Sequence, residues 1–148
     1  MFNDSSFVTT KLADMEKSCR QQGMPLTVQR RVILEALAGR KDHPTADQIY
    51  DQVGERLPGI SRTTVYRVLE AFVGLGVVQK INSPEAKAHF DADTSRHHHV
   101  RCTQCGAVAD VHDAGLNDLK LPTQQAAGFE FLDYTINFVG TCAACRNS

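Results

Sequence analysis

Apolar residues recur at helical spacing through the first half of the chain and then give way to short alternating runs. Leu12, Met15 and Cys19 share one face of a helix over residues 10–22, and Gly23 stops it. Thr27 is placed to cap a second helix in which Val28, Val32, Leu34 and Leu37 are apolar, and Gly39 ends it. After the turn His43-Pro44-Thr45, Thr45 and Asp47 open a third helix carrying Ile49, Tyr50 and Val53, which Pro58-Gly59 breaks. Ser61 caps a fourth, whose Val65, Val68, Leu69, Phe72 and Val73 line one face. Short turns, with a last helix that is short and basic, predict a helix-turn-helix unit.

Two strand-like runs follow Gly74 and Gly76, at residues 77–81 and 88–91, joined by the polar turn Asn82-Ser83-Pro84-Glu85. A hairpin directly after such a helix reads as the wing of a winged helix. Domain one is therefore placed at residues 1–84, a hinge or linker at 85–96 and a second domain at 97–148. There the periodicity changes: residues 100–102 and 107–111 are strand candidates around a cysteine knuckle, and residues 122–127 suit a helix closed by Gly128. Leu132, Tyr134, Ile136 and Phe138 alternate with polar residues, as in a strand with one buried face. The expected fold class is α+β. About fifty residues make little core, so a structural metal or a partner subunit is expected to support the second domain.

The 148 residues carry a net charge of −1, which alone identifies no polyanion binder, but the charge is unevenly spread. Residues 1–83 hold eleven Lys/Arg against nine Asp/Glu, and residues 84–148 hold five against eight, so the first part is +2 and the second −3. The N-terminal residues lack the pattern of a secretory signal, and no apolar run approaches the ~20 residues of a membrane helix. A cytoplasmic protein without a membrane partner is expected. In that reducing compartment paired cysteines hold metal more often than disulfides. Cys19, alone in a helical pattern, reads as an inert, partly buried thiol.

Three constellations carry chemistry. Cys102-x-x-Cys105 and Cys142-x-x-Cys145 have the spacing of a closed tetrahedral zinc site, because each short loop supplies two thiolates; a reducible disulfide or surface thiols are the alternatives. His97 and His99, two apart in an extended segment, face one side while His98 faces the other. With Asp91, Asp110 and His43 they form a mixed imidazole and carboxylate set suited to Fe²⁺, Mn²⁺ or Zn²⁺, unless they are merely a solvated cluster. On the fourth helix, Ser61, Arg62, Thr63 and Thr64 offer hydroxyls and N–H groups to phosphates, and Tyr66 and Arg67 lie off the apolar face within reach of a DNA groove. An ordinary solvated amphipathic helix is the alternative there.

Taken together, Leu26-Thr27-x-Gln29-Arg30, His43-Pro44-Thr45-Ala46-x-x-Ile49-Tyr50, Ser61-x-x-Thr64-Val65-Tyr66-Arg67-Val68-Leu69, Gly74-x-Gly76, His97-x-His99-x-x-Cys102-x-x-Cys105-Gly106 and Cys142-x-x-Cys145 resemble the ferric uptake regulator (Fur) superfamily of metal-dependent repressors. The resemblance runs in order from residue 26 to 145. It implies a winged-helix DNA-binding domain, an α/β dimerisation domain, a homodimer on a palindromic double-stranded operator and a structural Zn²⁺ on the four cysteines. It also implies a regulatory Fe²⁺ or Mn²⁺ with His43 among its ligands. Aspartate at 91 and 110, where iron sensors of the family usually carry glutamate, is similar to its peroxide-stress regulator (PerR) branch. That branch implies metal-catalysed oxidation of a ligating histidine, here His43 or His97. A regulator of iron, manganese or zinc supply without a redox step is the alternative.

The chain departs from the family at Val28, where a proline is usual, and at Arg96, His98, Asn117 and Tyr134, which stand where some relatives hold a further metal. No metal is expected at those four. His89 and His112 are left over, His89 as the better accessory ligand. A thiol oxidoreductase is a rival reading, but the pairs lack a thioredoxin-like strand-helix setting. A hydrolytic metalloenzyme would need a general base that the pattern does not offer, so no enzyme is expected. The mechanism expected is hinge closure, in which an ion ligated by His43 and by the second domain fixes the spacing of the two recognition helices.

Overall fold

Three caps set the helical part. Thr27 accepts a hydrogen bond from the N–H of Arg30 at 3.2 Å, Thr45 forms a reciprocal capping box with Gln48, and Ser61 Oγ accepts from the N–H of Thr64 at 3.1 Å. The computed structural model describes residues 4–83, 86–122 and 127–147. The chain divides into two units, Met1–Thr94 and Ser95–Ser148. The first holds α1 (Asp4–Gln21), α2 (Val28–Ala38), α3 (Ala46–Val53), α4 (Arg62–Gly74), β1 (Gln79–Ser83) and β2 (Ala86–Asp91). Met15, Ile33, Leu37, Ile49, Leu69 and Phe72 lie at its centre with no exposed surface, and Phe90 of β2 packs into the same cluster. Burying such side chains stabilises a fold by roughly 1.5–3 kcal/mol each.

The first helix begins six residues earlier than expected, because Phe7 and Val8 pack against the core and extend its apolar face. Val28, read as apolar in α2, is 74% exposed at the helix's first position. At the end of α4, Gly76 turns with φ 77°, and the N–H of Val77 closes back on the carbonyl of Phe72 at 3.2 Å. Val77 and Val78 thereby enter the core before β1 starts. β1 and β2 pair antiparallel, with Gln79 opposite Asp91, Lys80 opposite Phe90 and Ile81 opposite His89. The strand expected at 88–91 thus runs from Ala86 to Asp91 and belongs to the first unit, in which Phe90, Asp91 and Ala92 are buried, although the hinge expected from sequence covers 85–96.

The second unit holds β3 (His98–Cys102), β4 (Val108–Val111), a 3-10 turn (Ala114–Asp118), β5 (Asn137–Gly140) and α5 (Ala143–Arg146). Its sheet runs β4-β3-β5, with β3 antiparallel to β4 and parallel to β5. The strand expected over Leu132–Phe138 is a ladder only from Asn137, because β3 offers pairing partners only from His99 onward. Leu132 is 84% exposed. The helix expected over 122–127 falls largely outside the described residues; Ala127 and Gly128 turn with φ 52° and 82°. Among the described residues of this unit, only Cys102 and His97, His98 and His99 are buried, so one copy has almost no apolar core. No described helix is long and apolar enough to cross a membrane.

Candidate metal centres and nucleic-acid interface

The two Cys-x-x-Cys loops close on each other because β3 and β5 run parallel, bringing Cys102 opposite Gly140 and the N-terminus of α5 alongside. The four sulfurs of Cys102, Cys105, Cys142 and Cys145 all lie within 4.8 Å of one another. Cys105 Sγ and Cys142 Sγ are 3.7 Å apart. A ZnS₄ tetrahedron with bonds of ≈ 2.3 Å has edges of about 3.8 Å, whereas a disulfide would need about 2.05 Å. The cluster therefore fits zinc. Gly106, with φ 78°, makes the knuckle turn that a side-chain-bearing residue would strain. The N–H of Cys142, 3.4 Å from Cys102 Sγ, and those of Cys105 and Gln104 hold the Cys102 thiol down at about 6. Hydrogen bonding to Cys142, with burial and the other two sulfurs, pushes Cys145 up to about 12.

The imidazole and carboxylate residues fall into two groups, one in each unit. In the first unit His43, 3% exposed, holds Nε2 3.7 Å from Asp91 Oδ2, while Asp91 Oδ1 accepts the N–H of Asp93 at 2.9 Å. His43 is one of two described non-glycine residues with positive φ, at 51°. In the second unit His97, just before β3, and His99 within it lie with their rings edge-to-face at 4.7 Å. Asp110, opposite His99 on β4, places Oδ1 3.1 Å from His97 Nε2 and 3.5 Å from His99 Nε2. His97 donates its Nδ1–H to the carbonyl of Ser95 at 2.7 Å, which leaves Nε2 as the ring atom able to take a metal, the arrangement of a metal-ligating histidine. Buried imidazoles facing carboxylates are donor sets that fit Fe²⁺, Mn²⁺ or Zn²⁺.

His98 points the other way, as strand alternation requires, and its Nε2–H meets Asn117 Oδ1 at 3.0 Å. Its ring stacks on Tyr134 at 6.2 Å, and Arg96 lies 4.5 Å over the Tyr134 ring while pairing with Asp133 at 3.0 Å. These residues do meet, but around a guanidinium that supplies its own positive charge. His112 stacks on His97 at 5.3 Å. His89 hydrogen-bonds the backbone of His43. Lys11 escaped sequence reading altogether. It is 8% exposed and bonded to Thr94 Oγ1 at 3.5 Å. Burial lowers its pKa against the pull of Asp14, Asp93 and Asp91. Nothing local marks a lysine on α1 as the neighbour of residues eighty positions away.

On α4, Ser61, Arg62, Thr63, Tyr66 and Arg67 are exposed on the side opposite Val65, Val68 and Leu69, whereas Thr64 is half-buried with its hydroxyl 2.9 Å from that of Ser61. Arg62 does not project freely: it pairs with Asp47 at 2.8 Å and lies 4.7 Å over the Tyr50 ring. Lys87 of the wing also pairs with Asp47. These two cations, Lys87 foremost, hold the Asp47 carboxyl below the usual carboxylate range. Sequence reading took Asp47 as a helix opener and missed this second role.

Helix-turn-helix, wing and thiol cluster define the class, a winged-helix protein with candidate metal sites. The chain matches the Ferric uptake regulator family over residues 21–139, and it belongs to that family of metal-responsive regulators. The Peroxide-responsive repressor PerR of Staphylococcus aureus (strain USA300) is 32% identical to it over 137 residues, 93% of each chain. The ferric uptake regulator Fur of Helicobacter pylori, described with three functional metal binding sites, superposes with a TM-score of 0.77 over 95% of both chains; at 16% identity this is a likeness of fold. A zinc uptake regulator solved with zinc and DNA superposes with a TM-score of 0.68 at 25% identity, again over 95% of both chains.

Proposed function

We propose that the protein is a metal-dependent transcriptional repressor that senses peroxide. It acts in the cytoplasm as a homodimer on a palindromic double-stranded operator. Cys102, Cys105, Cys142 and Cys145 hold a structural Zn²⁺, and His43, Asp91, His97, His99 and Asp110 hold a regulatory Fe²⁺ or Mn²⁺. Ser61, Arg62, Thr63, Thr64, Tyr66 and Arg67 face DNA from α4. The observation that carries this reading is the division of the imidazole and carboxylate donors, with His43 and Asp91 in one unit and His97, His99 and Asp110 in the other. Five ligands shared in this way let one ion set the angle between reading head and pairing half, and so the spacing of two recognition helices. The exposed Phe129, Leu132 and Val139 support a partner subunit on the second unit.

Peroxide sensing is supported by aspartate at both carboxylate positions and by the peroxide-responsive relative. Fe²⁺ held by these residues would supply the redox chemistry that activates peroxide beside the imidazoles, the two electrons that reduce the peroxide coming from the ring C–H that is oxidised. The protein's part is to hold a ring C–H of His43 or His97 where one peroxide oxygen is inserted, the other leaving as water. The test is operator binding with Fe²⁺ and with Mn²⁺, each before and after peroxide, with mass spectrometry of the histidine peptides. Both ions are expected to support binding, and only the Fe²⁺ form to lose it, gaining one oxygen on His43 or His97. An Fe²⁺ form that keeps its operator affinity and gains no oxygen would instead identify a regulator of iron, manganese or zinc supply.

A further inference from the structure

His43 adopts a backbone conformation that its own sequence opposes. Its φ of 51° lies in the left-handed region, which costs any residue with a β-carbon. It also precedes Pro44, whose ring favours extended geometry in the residue before it. Such a residue persists only where tertiary contacts over-determine it. The contacts come from β2. The carbonyl of Pro44 accepts the N–H of Phe90 at 2.9 Å, and Thr45 forms an antiparallel bridge with His89. These main-chain bonds secure the residues after His43. The carbonyl of His43 itself accepts a hydrogen bond from His89 Nδ1 at 2.5 Å.

We propose that His89 is a positioning residue for His43: by donating Nδ1–H to the His43 carbonyl it holds the left-handed turn that aims His43 Nε2 at Asp91, and so sets the affinity for the regulatory ion. This rests on the reading of His43 and Asp91 as ligands. His89 is the second residue before Asp91, so one strand carries both a ligand and the clamp for the other ligand. Alternation along β2 puts His89 and Asp91 on the same side of the strand, towards the turn. The role differs from ligation, because His89 reaches the ion only through the peptide group of residue 43.

The test uses the full-length zinc-loaded protein with Mn²⁺ affinity, the visible spectrum of bound Co²⁺ and the melting temperature without Mn²⁺ or Co²⁺. His89→Ala is expected to weaken Mn²⁺ binding about tenfold, in the range of lost outer-shell partners, and to alter the Co²⁺ spectrum. His89→Asn places an amide N–H near the position of Nδ1–H and is expected to recover Mn²⁺ affinity to within about twofold. A general loss of packing would lower the melting temperature of both variants and give no such rescue. In His43→Ala the further change His89→Ala should add nothing. Wild-type affinity in His89→Ala, failure of Asn to rescue, or additive losses in the double variant would each overturn the proposal. If His43→Ala alone weakens Mn²⁺ binding while His89→Ala does not, only this inference fails; if His43→Ala binds Mn²⁺ like the wild type, the ligand assignment fails and takes the inference with it.

Discussion

At the scale of single residues, four cysteines of one kind are made unequal by their surroundings. Cys102 is held down at about 6 by three N–H groups, and Cys145 is pushed up to about 12. Zinc binds thiolates, so near neutral pH the ion must displace the proton of Cys145 but finds Cys102 already ionised. As pH falls through about 6, Cys102 takes up a proton that zinc must also displace. Zinc affinity therefore falls more steeply on the acid side, and calorimetry in buffers of different ionisation enthalpy should show one more proton released per zinc at about pH 5 than at about pH 7.5. Cys102→Ser should remove that extra proton; an unchanged count in the wild type would refute the assignment. The pairing of the cysteines was legible from their spacing. Their inequality was not, because the N–H that acts most on Cys102 belongs to Cys142, forty residues on.

At the scale of elements, the caps at Thr27, Thr45 and Ser61 and the apolar face of α4 were readable because they depend on neighbours three or four residues away. The clamp around Asp47 was not, since Arg62 and Lys87 reach it from α4 and β2. Arg62, on the face proposed for DNA, and Lys87 of the wing thereby share one carboxylate, which offsets one of their two charges. Asp47→Asn should release both. Binding to duplex DNA is expected to tighten roughly threefold to tenfold at low salt, with a salt dependence steeper by about one phosphate contact. The melting temperature should hardly move, because exposed ion pairs contribute little. Fluorescence anisotropy across a salt series decides it: weaker binding would mean that Asp47 orients Arg62 and Lys87 instead of restraining them.

At the scale of the whole molecule, the two units differ in what holds them. The first has a continuous apolar cluster from Met15 to Ala92, whereas the described part of the second buries little beyond one cysteine and three histidines. With the zinc and the partner subunit proposed above, its order is expected to come from metal and from what covers Phe129, Leu132 and Val139. Stripping zinc with a strong chelator under reducing conditions should unfold the second unit and leave the helices of the first. Far-UV circular dichroism would then keep its helical signal and thermal melting would show only the transition of the first unit. Loss of both units together would contradict this division of stability.

The sequence by itself determined the helices, the wing, the two cysteine pairs and which histidines share a face, because periodicity and short spacing encode local geometry. The alternation at Leu132–Phe138 shows the limit of that logic: the pattern is strand-like, but a strand needs a partner, and β3 supplies one only from Asn137. Only the tertiary structure decided that His43 turns left-handed against the preference imposed by Pro44, that His89 clamps it, and that Lys11 lies buried near Asp91 and Asp93. Each of these joins residues more than forty positions apart, and such joins arise from packing, which no local window of sequence contains.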